Sequence, residues 1–396
     1  MKKWFFPLVI SFSLISCSSK VQHFERTMDE EYYHRLLAFM TDTGTQILSK
    51  ESYNSVYSPI ALYDQLSILL SLCDTDSDLS WMLQDLLGDD LETISSQWEA
   101  YHHDITNRLD YYSFTNSVLY QEGKEWNQAL LEEQKKRFQY ELYGFDFSQG
   151  KKKFSSFIEE KTEGFLSPSE NDFSSIEEYH FALIHTSYYQ GEWLQDAAET
   201  ITHTFHLEDK STKEGIFIEK KEKVHYGNDS QIESVLFDCQ DGSSLLLLRP
   251  YQTQNDENQI FLNTILMDSG RLMRFIKHMQ EEQNQEPQLM RVLFPQWKGE
   301  SHLSFSSLFQ ELLGKEDLFE TPEQTFTFLI QDPTDLNIMP LQQWAKWEIE
   351  EKKITIAHGP YLQKQQEKEI IFDSPFLYVL LSNTGIPLYM GTVRDI

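Results

Sequence analysis

The C-terminal stretch P-F-L-Y-V-L-L-S-N-T-G-I-P-L-Y-M-G-T-V occupies residues 375–393. It contains two apolar runs, and both are rich in the β-branched and aromatic side chains that strands favour. Between them lies Asn383-Thr384-Gly385, and residues of these types are common in tight turns. The stretch therefore predicts two apolar strands joined by a turn.

Just upstream, residues 345–360 change their pattern partway along. Ala345, Trp347 and Ile349 alternate with polar residues, as in a half-buried strand. After Glu351 the apolar positions move to the other parity, and a His-Gly-Pro sequence ends the pattern. The second half of this stretch is either an ordinary loop or a segment that can itself become a strand.

The rest of the chain mixes helical and strand patterns, with helices gathered early, which predicts the α+β class. The hydrophobic spacing predicts helices over residues 30–48, 59–72, 79–87, 91–109, 126–140, 154–165, 271–283 and 303–313. Strands are predicted at 114–120, 142–147, 181–189 and 289–294, with several more between 204 and 250. One hairpin in that last region has Asp241-Gly242 as its turn.

Composition limits the function classes that are open. The chain has 396 residues, of which 40% are hydrophobic, and no linker-like segment divides it, so residues 28–396 are expected to form one domain. A formal charge of −30 argues against nucleic acid as a partner, because phosphates would be repelled.

The first residues have the features of an export signal. Lys2 and Lys3 precede an apolar stretch that is too short for a membrane span. Leu-Ile-Ser-Cys then resembles a bacterial lipobox, which predicts a signal peptide over 1–16, a lipidated Cys17 and a tether over 17–27. A plain secretory signal with an incidental cysteine is the alternative.

No sequence pattern of a catalytic or cofactor site is present, so the chain is not expected to be an enzyme or to hold a cofactor or metal. His102-His103 is interpreted as part of a solvated helix face. The Asp74, Asp76 and Asp78 series lacks the glycine of a calcium loop and is interpreted as a solvated loop, with Asp78 capping the next helix.

Two cysteines, Cys73 and Cys239, remain after Cys17. Both lie among apolar residues, which favours free buried thiols, although a disulfide is the alternative in an oxidising compartment.

Five segments in order resemble the motifs of the serpin (serine protease inhibitor) family. They are N-S-V-Y-S-P-I-A (54–61), T-N-S-V-L-Y-Q (115–121), F-S-S-F-I-E-E-K-T-E-G (154–164), L-I-H-T-S-Y-Y-Q-G-E-W (183–193) and the C-terminal stretch from Pro375. The resemblance covers the chain from about residue 28 to its end.

The resemblance implies a serpin fold with three β-sheets, about nine helices and an exposed C-terminal reactive loop. In inhibitory members, a protease cleaves this loop, and the loop then inserts as a new strand into the largest sheet. Stored strain drives that insertion, so the inhibitor itself has no catalytic residues.

Several positions depart from the family pattern where the sheet is expected to part. Ser58 keeps the motif serine, but Ala61 replaces the second serine, His185 replaces a strand asparagine and Gln343 replaces a frequent histidine. The family tryptophan of this region is kept as Trp193. The resemblance implies altered hydrogen bonding at the opening of the sheet, with neutral repacking as the alternative.

The hinge of the loop also departs from the pattern. Alignment places its start at Glu351, and Lys353 and Ile354 then replace a glycine and a threonine. In an inserted strand Ile354, Ile356, His358 and Pro360 would all face inward, since alternate residues share a face. Proline lacks the N–H that a central strand must donate.

The loop is also shorter than the family pattern. The missing residues could lie on either side of the cleavage point. Sixteen residues beyond Glu351 lies the Glu367-Lys368 bond. Lys364 and Lys368 would suit trypsin-like proteases.

Two functions are consistent with these observations. The first is a serpin-family protein, anchored at a bacterial envelope, that does not trap proteases and binds another surface protein. The second is a working suicide inhibitor of an extracellular serine protease. On either hypothesis the protein is expected to be an exported monomer that meets the membrane through its N-terminal lipid.

Overall fold

The structure is a computed structural model that describes residues 25–106, 112–162, 164–173, 175–193, 198–251, 262–283, 285–349 and 368–396. Several predicted positions lie outside the described residues: Cys17, Glu351, Lys353, Ile354, Ile356, His358, Pro360, Lys364 and Glu367. The predicted tether is described only from residue 25. There Arg26 lies over the ring of Tyr33, and the Thr27 N–H donates to the Asp104 carboxylate.

The described ranges contain helices of five to 21 residues. They are α1 (Glu30–Lys50), α2 (Pro59–Leu72), α3 (Asp78–Leu87), α4 (Leu91–Thr106), α5 (Gln128–Phe138), α6 (Gly150–Lys161), α7 (Leu262–Leu266), α8 (Ser269–Glu282) and α9 (Ser306–Leu313). None of the helices in this part of the chain is long and apolar enough to cross a bilayer.

The strands are β1 (Ser55–Tyr57), β2 (Tyr112–Gln121), β3 (Glu141–Phe145), β4 (Phe181–Tyr189), β5 (Ala198–His206), β6 (Thr212–Asn228), β7 (Ile232–Asp238), β8 (Ser244–Pro250), β9 (Gln288–Pro295), β10 (Trp297–Ser304), β11 (Gln342–Ile349), β12 (Lys368–Ile371), β13 (Phe376–Leu381) and β14 (Pro387–Val393). The α+β prediction is confirmed, and most predicted elements lie within a turn of the observed ones.

Nine strands form one continuous sheet, in the order β1-β14-β13-β8-β7-β6-β9-β12 with β5 also on β6. The long strand β6 joins two parts of this sheet. Its first half pairs with β5 and β9, and its end pairs with β7. The remaining strands form a three-stranded sheet, β3-β2-β4, and a two-stranded sheet, β10-β11.

The C-terminal hairpin lies at the centre of the core. Every residue of β13 and β14 is buried, and β14 also pairs with β1. At the turn Gly385 has φ +86, a conformation that favours glycine. The Tyr33 hydroxyl donates to the Gly385 carbonyl, so α1 holds this turn in place.

Helix α2 lies entirely inside the protein. Pro59 occupies its first turn, where a missing N–H costs nothing, and the Ser58 hydroxyl caps it by accepting from the Ala61 N–H. All fourteen residues are buried, including Asp64 and Gln65. A helix buried on every side has to find partners for its polar side chains inside the protein.

Three local predictions are wrong. Asp74 is not solvated: its carboxylate is buried and accepts from the backbone N–H groups of Thr327 and Phe328. The cap of α3 is Ser77 rather than Asp78. The helix predicted from residue 303 begins only at Ser306, because residues 303 and 304 pair with β11 as the end of β10.

Cys73 and Cys239 are both free and buried, as predicted. Burial disfavours the thiolate and raises the pKa of both thiols, that of Cys239 to about 12.

The hairpin leaves no space at Gly391. A methyl group there would lie 2.3 Å from the Ser55 carbonyl oxygen and 2.3 Å from the Tyr378 hydroxyl. Because the first obstacle is backbone, we expect Gly391→Ala to lower the free energy of unfolding by about 3 kcal/mol or more. Urea unfolding followed by circular dichroism measures this change.

The matched control is Gly270→Ala in α8, where the added methyl would lie 3.3 Å from the flexible end of Arg274 and 3.6 Å from an Asp268 carboxylate oxygen. Alanine stabilises a helix relative to glycine by up to about 1 kcal/mol. Equal stability of the two variants would contradict the packing described for β14.

Candidate functional site

A slot separates the two smaller sheets. Within the described ranges, β4 and β11 share no ladder, and a single parallel bridge joins Phe181 to Ile338 at one end. There the Met339 N–H donates to the Phe181 carbonyl over 2.8 Å. Beyond this bridge the strands stay apart around a cavity of about 680 Å³. We call the gap between β4 and β11 the slot.

Helix α2 forms the floor of the slot. Ser58, Ala61 and Gln65 line the cavity from this helix, together with His185 of β4 and Gln343 of β11. The structure thus brings all five residues predicted for the sheet-opening region to one cavity, four of them at its floor and walls. The fifth, Trp193, also lines the cavity and forms a β-bridge with Cys239.

Gln343 is tied to the start of α2. Its side-chain oxygen accepts from the Ser58 N–H over 2.8 Å, and its amide nitrogen donates to the Ser58 carbonyl over 3.1 Å. The Ser58 hydroxyl in turn donates to the Leu388 carbonyl. One amide side chain thus satisfies both backbone groups of Ser58 and fixes β11 to the floor.

Gln65 performs a similar role on the other wall. Its buried amide nitrogen donates to the Leu183 carbonyl of β4 over 2.9 Å. Sequence reasoning missed this residue. The available signal was a pair of adjacent polar residues, Asp64 and Gln65, inside an otherwise apolar helix that starts at a proline.

Asp64 is the centre of a buried polar network beneath β2 and β4. Its carboxylate accepts from Asn116 Nδ2 at 2.7 Å and from the Tyr101 hydroxyl at 2.9 Å. His185 Nδ1 lies 3.5 Å and His102 Nε2 lies 3.7 Å from Asp64 Oδ2, the oxygen that accepts from Asn116. Asn116 Oδ1 also forms a hydrogen bond with His185 Nδ1, at 2.8 Å. This bond joins His185, which stands where the family has an asparagine, to the neighbouring strand β2.

The histidines determine the protonation of this carboxyl group. Burial raises the pKa of Asp64, but the hydrogen bonds and charges of His102 and His185 outweigh that effect and hold the pKa well below its usual range. The prediction that His102 lies on a solvated helix face is therefore wrong, because its side chain is only 12% exposed and packs against Trp98 and Phe114.

The opposite side of the slot is apolar. The Phe165 ring, which follows α6, contacts Tyr188 of β4 and lies under the Lys346 ammonium group of β11. Phe173 packs against Trp344 at 4.7 Å between ring centroids. The segment after α6 therefore bridges both walls from outside, opposite the polar floor.

A buried ion pair lies at the far end, near Trp193. The Lys220 ammonium group is 2.9 Å from a Glu222 carboxylate oxygen and 4.5 Å from the centroid of the Trp193 ring. Burial raises the pKa of Glu222 despite this cation.

The two ends of the predicted reactive loop belong to different sheets. The loop leaves β11 at Ile349, and the chain returns in β12, which pairs in parallel with β9. Lys368, the one residue of the nominal scissile region that the structure describes, begins β12 and lies over the Tyr226 ring. Its ammonium pKa is lowered by burial. The position of the scissile bond stays a prediction.

No group of three or more His, Cys, Asp or Glu side chains suited to a metal ion occurs in the ranges that the structure describes. The slot provides a gap between two walls that no described strand fills, with hydrogen-bonding side chains beneath it.

A family model, Serpin (serine protease inhibitor), matches residues 35–396. No curated protein sequence matches the chain. Among solved structures, the native state of tengpin, a thermophilic serpin, superimposes with a TM-score of 0.79 at 16% identity, covering 94% of this chain and 96% of that one.

Two further structures come from an insect and a plant. Serpin48 of Tenebrio molitor gives a TM-score of 0.73 at 18% identity, over 94% of this chain and 100% of the other. An Arabidopsis serpin in its native stressed conformation gives 0.75 at 17%, over 92% and 98%. At such identities the likeness concerns the fold.

Asp64 makes the stability of the protein depend on pH. Because its pKa is lower in the folded than in the unfolded state, its contribution is complete above pH about 5 and is lost as pH falls through and below pH about 4. We expect Asp64→Asn to cost about 3 kcal/mol at pH 7, since the buried network loses its anion. Below pH about 4, it should also reduce the pH slope of the unfolding free energy by up to about 1.4 kcal/mol per pH unit.

Urea unfolding at a series of pH values between about 3 and 7 tests this expectation. Asp42→Asn is the matched control, because Asp42 is exposed on α1. If both variants had the same pH slope, the carboxylate of Asp64 would not be the group that titrates.

Proposed function

Since this chain belongs to the serpin family of serine protease inhibitors, we propose that it is a serpin-fold protein of a bacterial envelope that binds its partner without trapping a protease. One observation carries the proposal: a side-chain amide already occupies a hydrogen-bonding position on the β4 wall of the slot, and a second amide ties the β11 wall to the start of α2. Gln65 bonds to Leu183 in β4, and Gln343 in β11 bonds to Ser58.

The sequence of the loop supports the same conclusion. Insertion would place Ile354 and Ile356 over a floor where Ser58 and the Gln65 amide nitrogen already have hydrogen-bond partners. It would also place Pro360 within the sheet, where it cannot donate to a neighbouring strand. Lys353, which replaces the hinge glycine, is bulkier and less free in its backbone. The loop therefore gains little from entering the slot.

A second candidate function is suicide inhibition of an extracellular serine protease. The gap between β4 and β11, which no strand of the described ranges fills, favours it, because a strand there would pair with both edges at once. The placement of β12 in the nine-stranded sheet is also consistent with a loop that spans the two ends. The two candidates differ only in whether the cleaved loop inserts.

The partner on the first proposal is another surface protein or a serine protease held without covalent trapping, and the protein acts as a monomer. The strongly negative charge argues against nucleic acid as a partner. Residues 1–17 support export and lipidation at Cys17. Several acyl chains on one residue suffice for a stable membrane anchor.

Cleavage followed by melting tests loop insertion. We expect the protein nicked within residues 350–367 by a trypsin-like protease to melt at the same temperature as the intact protein. An inserted strand would add a ladder of backbone hydrogen bonds, each about 0.5–1.5 kcal/mol, and would raise the melting temperature. Differential scanning calorimetry of intact and nicked protein measures the difference.

The comparison variant combines Lys353→Gly, Ile354→Thr and Pro360→Ala, which removes the features that oppose insertion. We expect its melting temperature to rise after cleavage. A large rise for the unmodified chain, or an SDS-stable complex with a serine protease, would refute the non-trapping function and favour the second candidate.

The lipid anchor has a separate test. Expressed in a bacterium with lipoprotein processing, the full chain is expected to enter the detergent phase on phase separation and to incorporate labelled fatty acid. Cys17→Ser should do neither, whereas Ser18→Ala should behave as the unmodified chain does. A Cys17→Ser protein that still fractionates with membranes would contradict lipidation at this residue.

A further inference from the structure

The Leu183 carbonyl lies on the edge of β4 that faces the slot. Gln121 of β2 donates its N–H to the His180 carbonyl over 2.7 Å, and Met339 donates to the Phe181 carbonyl from the β11 side over 2.8 Å. Carbonyl groups alternate in direction along a strand. The Leu183 carbonyl therefore points the same way as that of Phe181, toward the position of an incoming strand.

Gln65 reaches this carbonyl from below. Its amide nitrogen is 2.9 Å from the Leu183 oxygen, and the side chain is 5% exposed. A primary amide carries the same kind of donor and acceptor as a peptide group, so it can replace a strand residue at one position. The fully buried helix α2 gives this side chain a fixed base.

The other wall has a matching arrangement. Gln343 exchanges two hydrogen bonds with the backbone of Ser58, as a residue of a paired strand would. Both walls of the slot are thus connected to α2 through glutamine amides. Of the two, only Gln65 occupies an acceptor that an incoming strand would need.

We propose that Gln65 is a positioning residue that keeps the slot free of a strand by giving the Leu183 carbonyl the hydrogen bond that a strand would otherwise supply. The proposal deepens the proposed function, since it rests on the slot being the place where a strand would bind. It concerns strands from any source, whether the chain's own loop or a separate peptide.

Competition follows from this geometry. An incoming strand has to displace the Gln65 amide and leave it to find a new partner in a buried site, which is costly. Without the amide, the empty slot contains an unpaired carbonyl, and the filled slot is unaffected. Removal of the amide therefore favours the filled state.

The test measures binding of a fluorescent, acetylated peptide of alternating threonine and alanine, about twelve residues long, which suits a strand of this length. The probe is titrated into the full chain and into Gln65→Leu, with fluorescence anisotropy as the readout. We expect Gln65→Leu to bind the peptide on the order of tenfold more tightly and to melt at a lower temperature without peptide.

That opposite movement of affinity and stability separates positioning from a purely structural role, which would lower both. Gln84→Leu is the matched control, because Gln84 is a helical glutamine of α3 whose amide donates to Ser80 away from the slot. Gln65→Met serves as a second variant with a side chain of similar length.

Equal or weaker peptide binding by both Gln65 variants, or no binding by any protein, would overturn the proposal. If neither variant folds, a crystal structure of the unmodified chain with the peptide decides: an amide swung away from Leu183 supports the proposal, and an amide still bonded to it overturns it. An SDS-stable protease complex would refute the non-trapping function and leave this inference standing.

Discussion

Buried backbone groups need hydrogen-bond partners, and around the slot α2 provides them. The sheet that β4 and β11 would form with a strand between them is interrupted, so two edges lie inside the protein rather than at its surface. An unpaired carbonyl in such a place is costly. The Gln65 amide removes that cost at the Leu183 carbonyl, and α2 can hold this side chain because the helix is itself enclosed on every side.

The same helix places a carboxylate in the interior. A buried anion is tolerated only with good partners, and Asp64 has Asn116, Tyr101 and two histidines around it. These partners come from β2, β4 and α4, so the anion connects three elements to the floor of the slot. His185, which stands where the family has a strand asparagine, therefore has the Asp64 carboxylate as a neighbour beneath it. The wall formed by β4 is held by α2 from beneath and by β2 from the side.

The slot has two chemically different faces. Its floor is polar, with Ser58 and Gln65 already hydrogen-bonded, and its outer side is covered by Phe165 and Phe173 after α6. Residues of a strand point alternately to the two faces, so an occupant has to present small or polar groups to the floor and apolar groups to the outside. In the register inferred from the sequence, an inserted loop would direct the isoleucines at 354 and 356 and the proline at 360 toward the floor, which is the physical basis on which we propose a non-trapping function.

Local pattern in the sequence was sufficient for the elements and the fold class. Pro59 and Ser58 fix the start of α2, the apolar runs around Gly385 fix the C-terminal hairpin, and the ordered motifs identify the arrangement that joins them. These features depend on neighbours in the chain, and periodicity records such neighbours directly.

Only the tertiary structure decided which polar residues are buried and which partners they bond to. His102 and His103 are adjacent on one helix, yet one is largely enclosed and the other half exposed. Gln65 meets Leu183, and Ser58 meets Gln343, across more than a hundred residues of chain. A hydrogen bond between distant segments leaves no periodic trace in the sequence, so a buried amide that replaces a strand looks there like any other polar residue of a helix.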